Sequence, residues 1–208
     1  MYRICFTLAL IGMVPLMVGA AAGQGAEGPQ AMPVPTLPFV DWKACPGEGC
    51  QYGRWTARRS VVVYDTWKDN RRPIARLAKG DRVVGLTGVV VTYKPGVILI
   101  DRDMPEEGLQ RGDTILTYAY RGEGLSAVWF KGSYYPDFDI SFAKWPEGGG
   151  CGSTHCAATY LDLGKKVWWA EIKLNSGRTG WVNMNEAEFD GTCAIARSMS
   201  LRAVMGHQ

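Results

Sequence analysis

Histidine is nearly missing from this chain. Among 208 residues only His155 and His207 carry an imidazole, and His207 is one residue from the C-terminus. Proton-transfer and nucleophilic sites recruit histidine more often than any other side chain, so the shortage narrows the catalytic options sharply. A basic stripe is missing too. The 23 Lys and Arg are balanced by 20 Asp and Glu, and the basic groups are no longer than Arg58-Arg59 and Arg71-Arg72. A nucleic-acid footprint needs cations clustered along one face, so no nucleic-acid partner is expected. No cysteines are spaced C-x-x-C, and CGSTHC (Cys151–Cys156) lacks the C-x-x-C-H order of haem attachment. A structural zinc site needs four ligands, which Cys151, His155 and Cys156 do not supply. No cofactor and no metal are expected.

What is present points to a turn-rich, exported, all-β chain. Glycine (26) and proline (11) are plentiful, and 47% of residues are hydrophobic. Met1–Ala22 has the parts of a secretory signal peptide: Arg3, an apolar stretch from Ile4 to Val18, then small residues at Gly19–Ala22. The apolar stretch is about 15 residues, broken by Gly12 and Pro15, short of the roughly 20 that span a bilayer. Cleavage after Ala22 is expected rather than an uncleaved anchor. Cys5 lies far from any cleavage position, which argues against a lipoprotein signal. Loss of Arg3 leaves a net charge near +2, with no stable membrane insertion and a secreted or periplasmic location.

Residues 23–54 read as a leader. Four prolines between 23 and 40 favour an extended, semi-rigid linker. Pro35-Thr36-Leu37-Pro38 also fits the P-x-x-P pattern that some β domains bind. Cys45 and Cys50 flank Pro46-Gly47-Glu48-Gly49, and Cys151 and Cys156 enclose a second four-residue, glycine-bearing loop. In an oxidising compartment two short-loop disulfides are expected, each contributing about 2 kcal/mol. Cys193 is then the odd cysteine, a buried thiol or the link in a covalent homodimer.

From Trp55 the strand pattern begins. Ser60–Tyr64 and Ile74–Leu77 are short strands, Lys79-Gly80-Asp81 is a turn, and Arg82–Thr92 reads as a glycine-interrupted strand pair. Lys94-Pro95-Gly96 turns the chain into Val97–Ile100, expected to be buried on both faces. Residues 101–113 are acidic. Asp101, Asp103, Glu106 and Glu107 suit either a solvated loop or a weak Ca²⁺ site, but the glycine and closing glutamate of a calcium loop are missing. Asp113–Tyr120 and Ala127–Phe130 form a hairpin turning on Gly122 and Gly124. Lys131–Asp139 is expected to be an aromatic loop, Tyr160–Lys166 a connection, and Glu186–Phe189 a single helical turn.

The organising stretch is Trp168–Val182, WWAEIKLNSGRTGWV. Trp168, Ala170, Ile172 and Leu174 alternate with Trp169, Glu171 and Lys173, the period of a half-buried strand. Asn175-Ser176-Gly177 supplies a hairpin turn before Gly180-Trp181-Val182. This hairpin, with Val61–Tyr64, Leu77, Gly80-Asp81 and Val83, resembles the bacterial SH3-like domain. The resemblance implies an SH3-like small barrel over residues 55–192, elaborated by long loops. Residues 93–167 exceed what such a barrel needs and form either an insertion or a second small β unit.

The resemblance implies a non-catalytic module that recognises cell-wall peptide, peptidoglycan or another exported protein. Eight tryptophans and nine tyrosines supply the rings. If Trp168 faces inward with Ile172, parity puts Trp169 on the charged face, and similar alternation marks Trp129. Tyr134 and Tyr135 follow closely. Trp129, Tyr134, Tyr135 and Trp169 are therefore the candidate ligand-binding groove, with packing beneath the loops as the competing reading. Two other functions are carried forward: an assembly protein using the aromatic patch as a subunit interface, and a thiol enzyme pairing Cys193 with His155.

Overall fold

The computed structural model describes residues 33–47, 49–146, 151 and 156–192. The signal-peptide reading, His155, His207, Cys193 and its proposed dimer all fall outside the described residues. The fold is all-β, with fourteen strands, one 3-10 turn at Pro105–Glu107, and no α-helix among the described residues.

The strands form two curled sheets. The first combines β1 (Phe39–Trp42), β2 (Gly53–Ala57), β3 (Val61–Tyr64), β4 (Pro73–Leu77), β5 (Arg82–Lys94), β12 (Lys165–Lys173), β13 (Thr179–Asn183) and β14 (Phe189–Asp190). Its order is β14-β2-β5-β12-β13-β3-β4, with β1 added on β5. The second holds β6 (Gly96–Ile100), β7 (Thr114–Gly122), β8 (Leu125–Phe130), β9 (Ser133–Asp139), β10 (Ala143–Lys144) and β11 (Ala158–Asp162), in the order β10-β11-β6-β7-β8-β9. All six of these strands lie in sequence between β5 and β12, which pair antiparallel from Lys94–Lys165 to Val84–Lys173.

The residues 82–92 are one long strand rather than two. β2 pairs with its first half and β1 with its second, while β12 runs along the other side. Glycine lets β5 pass close under bulky rings. A Cβ on Gly85 would meet Trp55 at 2.6 Å, and one on Gly88 would strike the Tyr52 hydroxyl and meet Trp168 Nε1 at 2.7 Å. Burial along β5 alternates at first and then becomes continuous from Gly88 to Thr92. The second half is covered on both faces: Val90 joins the core of Trp55, Val63, Trp168, Ile172 and Val182, while Val89 and Val91 join an outer cluster with Trp169.

Several local expectations are corrected. Lys131–Asp139 is not a loop. Lys131 and Gly132 both take positive φ (45° and 81°), the requirement of a tight two-residue hairpin turn, and Ser133–Asp139 pairs with β8. Pro136 is tolerated because β9 is an edge strand. Glu123-Gly124 makes the same kind of turn between β7 and β8. Within Tyr160–Lys166, β11 ends at Asp162 and β12 begins at Lys165, with Gly164 at φ 74° between them. β6 is buried on alternate residues only, Val97 and Leu99 being half-buried. The helical turn sits one step early: Ala187 N donates to Asn183 O at 2.9 Å, and Phe189–Asp190 is a strand. Inside the expected leader, Phe39–Trp42 is a strand that pairs with Thr92–Val89.

Both disulfides form, Cys45–Cys50 and Cys151–Cys156, with Cα atoms 5.6 and 5.2 Å apart. They are compatible with an oxidising compartment. The acidic loop is tied by its own hydrogen bonds: Thr159 Oγ1 donates to Asp101 at 2.7 Å and Arg111 N to Asp103 at 2.8 Å. Among the described residues no group of three His, Cys, Asp or Glu is placed to hold a metal.

The second sheet is joined to the first where β1 crosses. Arg121 of β7 donates to the buried Asp41 at 2.8 Å and lies 3.6 Å from Asp137, and Thr92 donates its hydroxyl hydrogen to Tyr118 O. Burial raises the Asp41 pKa above the usual carboxylate value, against the pull of Arg121. The β5 packing predicts that Gly88→Ala destabilises the protein by roughly 3 kcal/mol in urea unfolding, the cost of overpacking a tight site. Leu86→Ala, at an exposed bulge two residues away, should change stability by no more than about 0.5 kcal/mol.

Candidate functional site

The four ring residues expected to form one groove are divided among three places. Trp129 and Tyr134 are direct cross-strand partners on β8 and β9, half-buried against a small cluster of Tyr118, Ala119 and Ala127. Phe39 joins them, 6.0 Å from the Tyr134 ring. Tyr135 points to the opposite side of β9, packed on Phe138 at 5.6 Å and on the core of the second sheet. Strand alternation forces this split once residues 133–139 are extended. Trp169 is on the first sheet, in a separate cluster with Val89, Val91 and Val167.

Parity places Trp169 as expected, on the face opposite Trp168 and Ile172. Its exposure is not as expected. Only 3% of Trp169 is accessible, because the β3–β4 loop folds back over the outer face of β5 and β12. Asp65 N donates to Arg72 O at 3.0 Å, and Arg72 N donates to Asp65 Oδ1 at 2.7 Å. This double clasp holds the loop between them as a closed unit. It sets the Arg71 guanidinium 4.8 Å over the Trp169 ring and 5.6 Å from the Tyr64 ring. Tyr64 meets Trp169 edge-on at 5.8 Å and pairs across strands with Trp181 of β13.

The exposed part of this outer face is built from residues not chosen above. Val40 and Trp42 of β1 share the face of Val91 and Val89 of β5, their register partners. Trp42 is 61% accessible, a value unusual for tryptophan, and it packs edge-on against Trp67 of the loop at 5.6 Å. Half-buried Trp181 lies on the same face, and Tyr93 stands exposed at the end of β5. The site is thus a ring-lined platform: Trp169 is its floor, Arg71 and Trp67 its flank, and Trp42 its open surface. An exposed aromatic group of this kind marks a recognition surface more often than a solvated one. Trp42 and Trp67 were passed over because they sit in segments read as leader and loop. The signal was available: Val40 and Trp42 alternate with Phe39 and Asp41, the period of two of a short strand.

A second polar site lies between the sheets. Lys166 of β12 faces inward opposite Thr92 and is almost completely buried. Its Nζ donates to Leu163 O at 2.7 Å, within a small cavity lined also by Thr117, Tyr120, Ser126, Trp145 and Tyr160. Desolvation pulls its pKa down from 10.5 to about 8, against the attraction of Asp162. Asp162 is itself ion-paired with Lys94. Burial raises the Tyr160 pKa well above the usual tyrosine value. Asn185 stands in for a strand beside this segment, accepting from Trp168 N at 2.9 Å and donating to Lys166 O at 3.1 Å.

No protein-family model matches the chain, and neither a curated protein nor a solved structure is significantly similar to it.

The buried lysine generates a pH prediction. Between pH 8 and 10.5 the unfolded chain holds a proton on Lys166 that the folded chain has released, so stability rises with pH in that window. Below pH 8 the full cost of the buried charge is present. Tyrosines with raised pKa act oppositely above about pH 10, so the test stops short of that. Wild type should gain about 2 kcal/mol on Lys166→Met between pH 7 and 9.5, read from urea unfolding of both. Parallel pH curves for the two proteins would contradict this.

Proposed function

We propose that this protein is a non-catalytic, exported binding module of the bacterial SH3-like kind, which holds an extended cell-wall ligand on the Trp42–Trp67 platform. The observation that carries the reading is Trp42. A tryptophan 61% open to solvent, fixed edge-on by Trp67 on a face floored by a buried tryptophan, provides stacking area without a large entropy cost on binding. The first-sheet strands support the SH3-like part. The segments quoted for the resemblance become β3, the β4–β5 turn, and the β12–β13 hairpin. In that turn Asp81 accepts from Ala78 N at 2.8 Å, which explains the Gly-Asp pair. Two disulfides support the exported location.

Binding rather than catalysis is favoured by what the platform presents. Rings and one guanidinium supply stacking and hydrogen bonds, and no nucleophile–base pair lies among its described residues. Loss of a central ring typically costs 2 kcal/mol or more. In co-sedimentation of residues 23–208 with purified cell-wall sacculi, Trp42→Ala and Trp67→Ala should weaken binding at least about tenfold. Trp129→Ala should bind as wild type. Retention by Trp42→Ala, or loss confined to Trp129→Ala, would overturn the reading. A concentration-dependent dimer abolished by Trp42→Ala would instead assign the platform to self-assembly.

A further inference from the structure

Resting on the platform reading, we infer that Arg71 is its specificity residue and that the ligand is a peptide bearing a carboxylate, gripped beside the stacked rings. The Arg71 guanidinium sits over the Trp169 and Tyr64 rings, at 4.8 and 5.6 Å, while 34% of its side chain remains accessible. A guanidinium packed against rings is weakly hydrated and restricted before binding, and its fork of N–H donors matches a carboxylate. Its contacts within the protein are weak. Nη1 donates to Lys68 O at a long 3.3 Å and lies 3.9 Å from Asp69, whose side chain is 91% exposed. A surface pair of that length contributes little and is easily exchanged for an incoming carboxylate.

The surroundings have the matching charge. Lys68 and Arg72 are exposed in the same loop, and Lys43 is exposed beside Trp42. Of the loop's two acids, Asp65 is occupied in the clasp with Arg72 N, which leaves Asp69 as the internal occupant of Arg71. Tyr93 lies close enough to feel both charges, and desolvation with Asp69 raises its pKa. A neutral glycan would stack on Trp42 and Trp67 equally well but would offer the guanidinium only hydroxyl acceptors, without the charge-assisted bidentate match of a carboxylate.

The test compares native sacculi with sacculi whose carboxyl groups have been amidated by carbodiimide and ammonium. Wild type should pellet with native sacculi several-fold better than with the amidated form. Asp69→Asn removes the internal competitor without touching a packed group, and should tighten native binding roughly threefold while leaving amidated binding unchanged. Arg71→Gln should lose the preference, with thermal melting to verify its fold. Equal binding of both sacculi by wild type, or an unchanged Asp69→Asn, would overturn the carboxylate inference while the platform reading stands. Binding to neither form would overturn both.

Discussion

The pairing of β5 with β12 is the constraint on which everything else depends. It is the longest ladder among the described residues, running the whole length of β12, and its partners are about 80 residues apart in sequence. It joins the two halves of the first sheet, β2 beyond β5 and β13 beyond β12, and fixes both ends of the segment that builds the second. It also creates the two surfaces of interest. On its inner side it buries Trp168 and Ile172 and forces Lys166 into the gap between sheets. On its outer side it lays down Val89, Val91, Val167 and Trp169 as an apolar floor that the β3–β4 loop and β1 partly cover. Such a ladder closes a large loop before its contacts are gained, so it is a late, cooperative feature of folding rather than a local one.

The outer floor explains why the platform is shaped as it is. An apolar sheet face this wide would be an aggregation hazard if left bare. The clasp between Asp65 and Arg72 draws one loop across it, and the guanidinium of Arg71 caps the buried indole of Trp169. β1 covers the other side and carries Trp42 to the rim. What remains open is a narrow strip of rings beside a fixed cation. Its position away from the inter-sheet junction leaves the Asp41–Arg121–Asp137 contacts to a structural task, tying β1 to the second sheet.

Much of this was legible in the sequence, and the failures have physical causes. The closing hairpin, the Gly177 turn, both disulfides and the all-β class followed from period-two alternation, glycine placement and cysteine spacing, all local signals. The strand at Ser133–Asp139 was missed because its turn uses Lys131-Gly132, where a lysine takes the left-handed conformation usually left to Asn or Gly. Pro136 further disguised it. The site was missed for a different reason. Alternation told which face Trp169 occupies, but exposure depends on what a distant loop does, and the Asp65–Arg72 clasp, one backbone bond and one to the Asp65 carboxylate, is a contact that no periodicity reports. Likewise β1 was hidden by the prolines before it and the cysteine loop after it, and with it Trp42.

The most direct test of the account is an NMR titration of the ¹⁵N-labelled protein, residues 23–208, with soluble peptide-bearing cell-wall fragments, read at the tryptophan indole N–H signals. The account predicts that Trp42, Trp67 and Trp181 shift together in a saturable way while Trp129 stays in place. Shifts centred on Trp129 would contradict it and return the binding site to the β8–β9 hairpin. No shift at any indole would leave the platform without a cell-wall ligand.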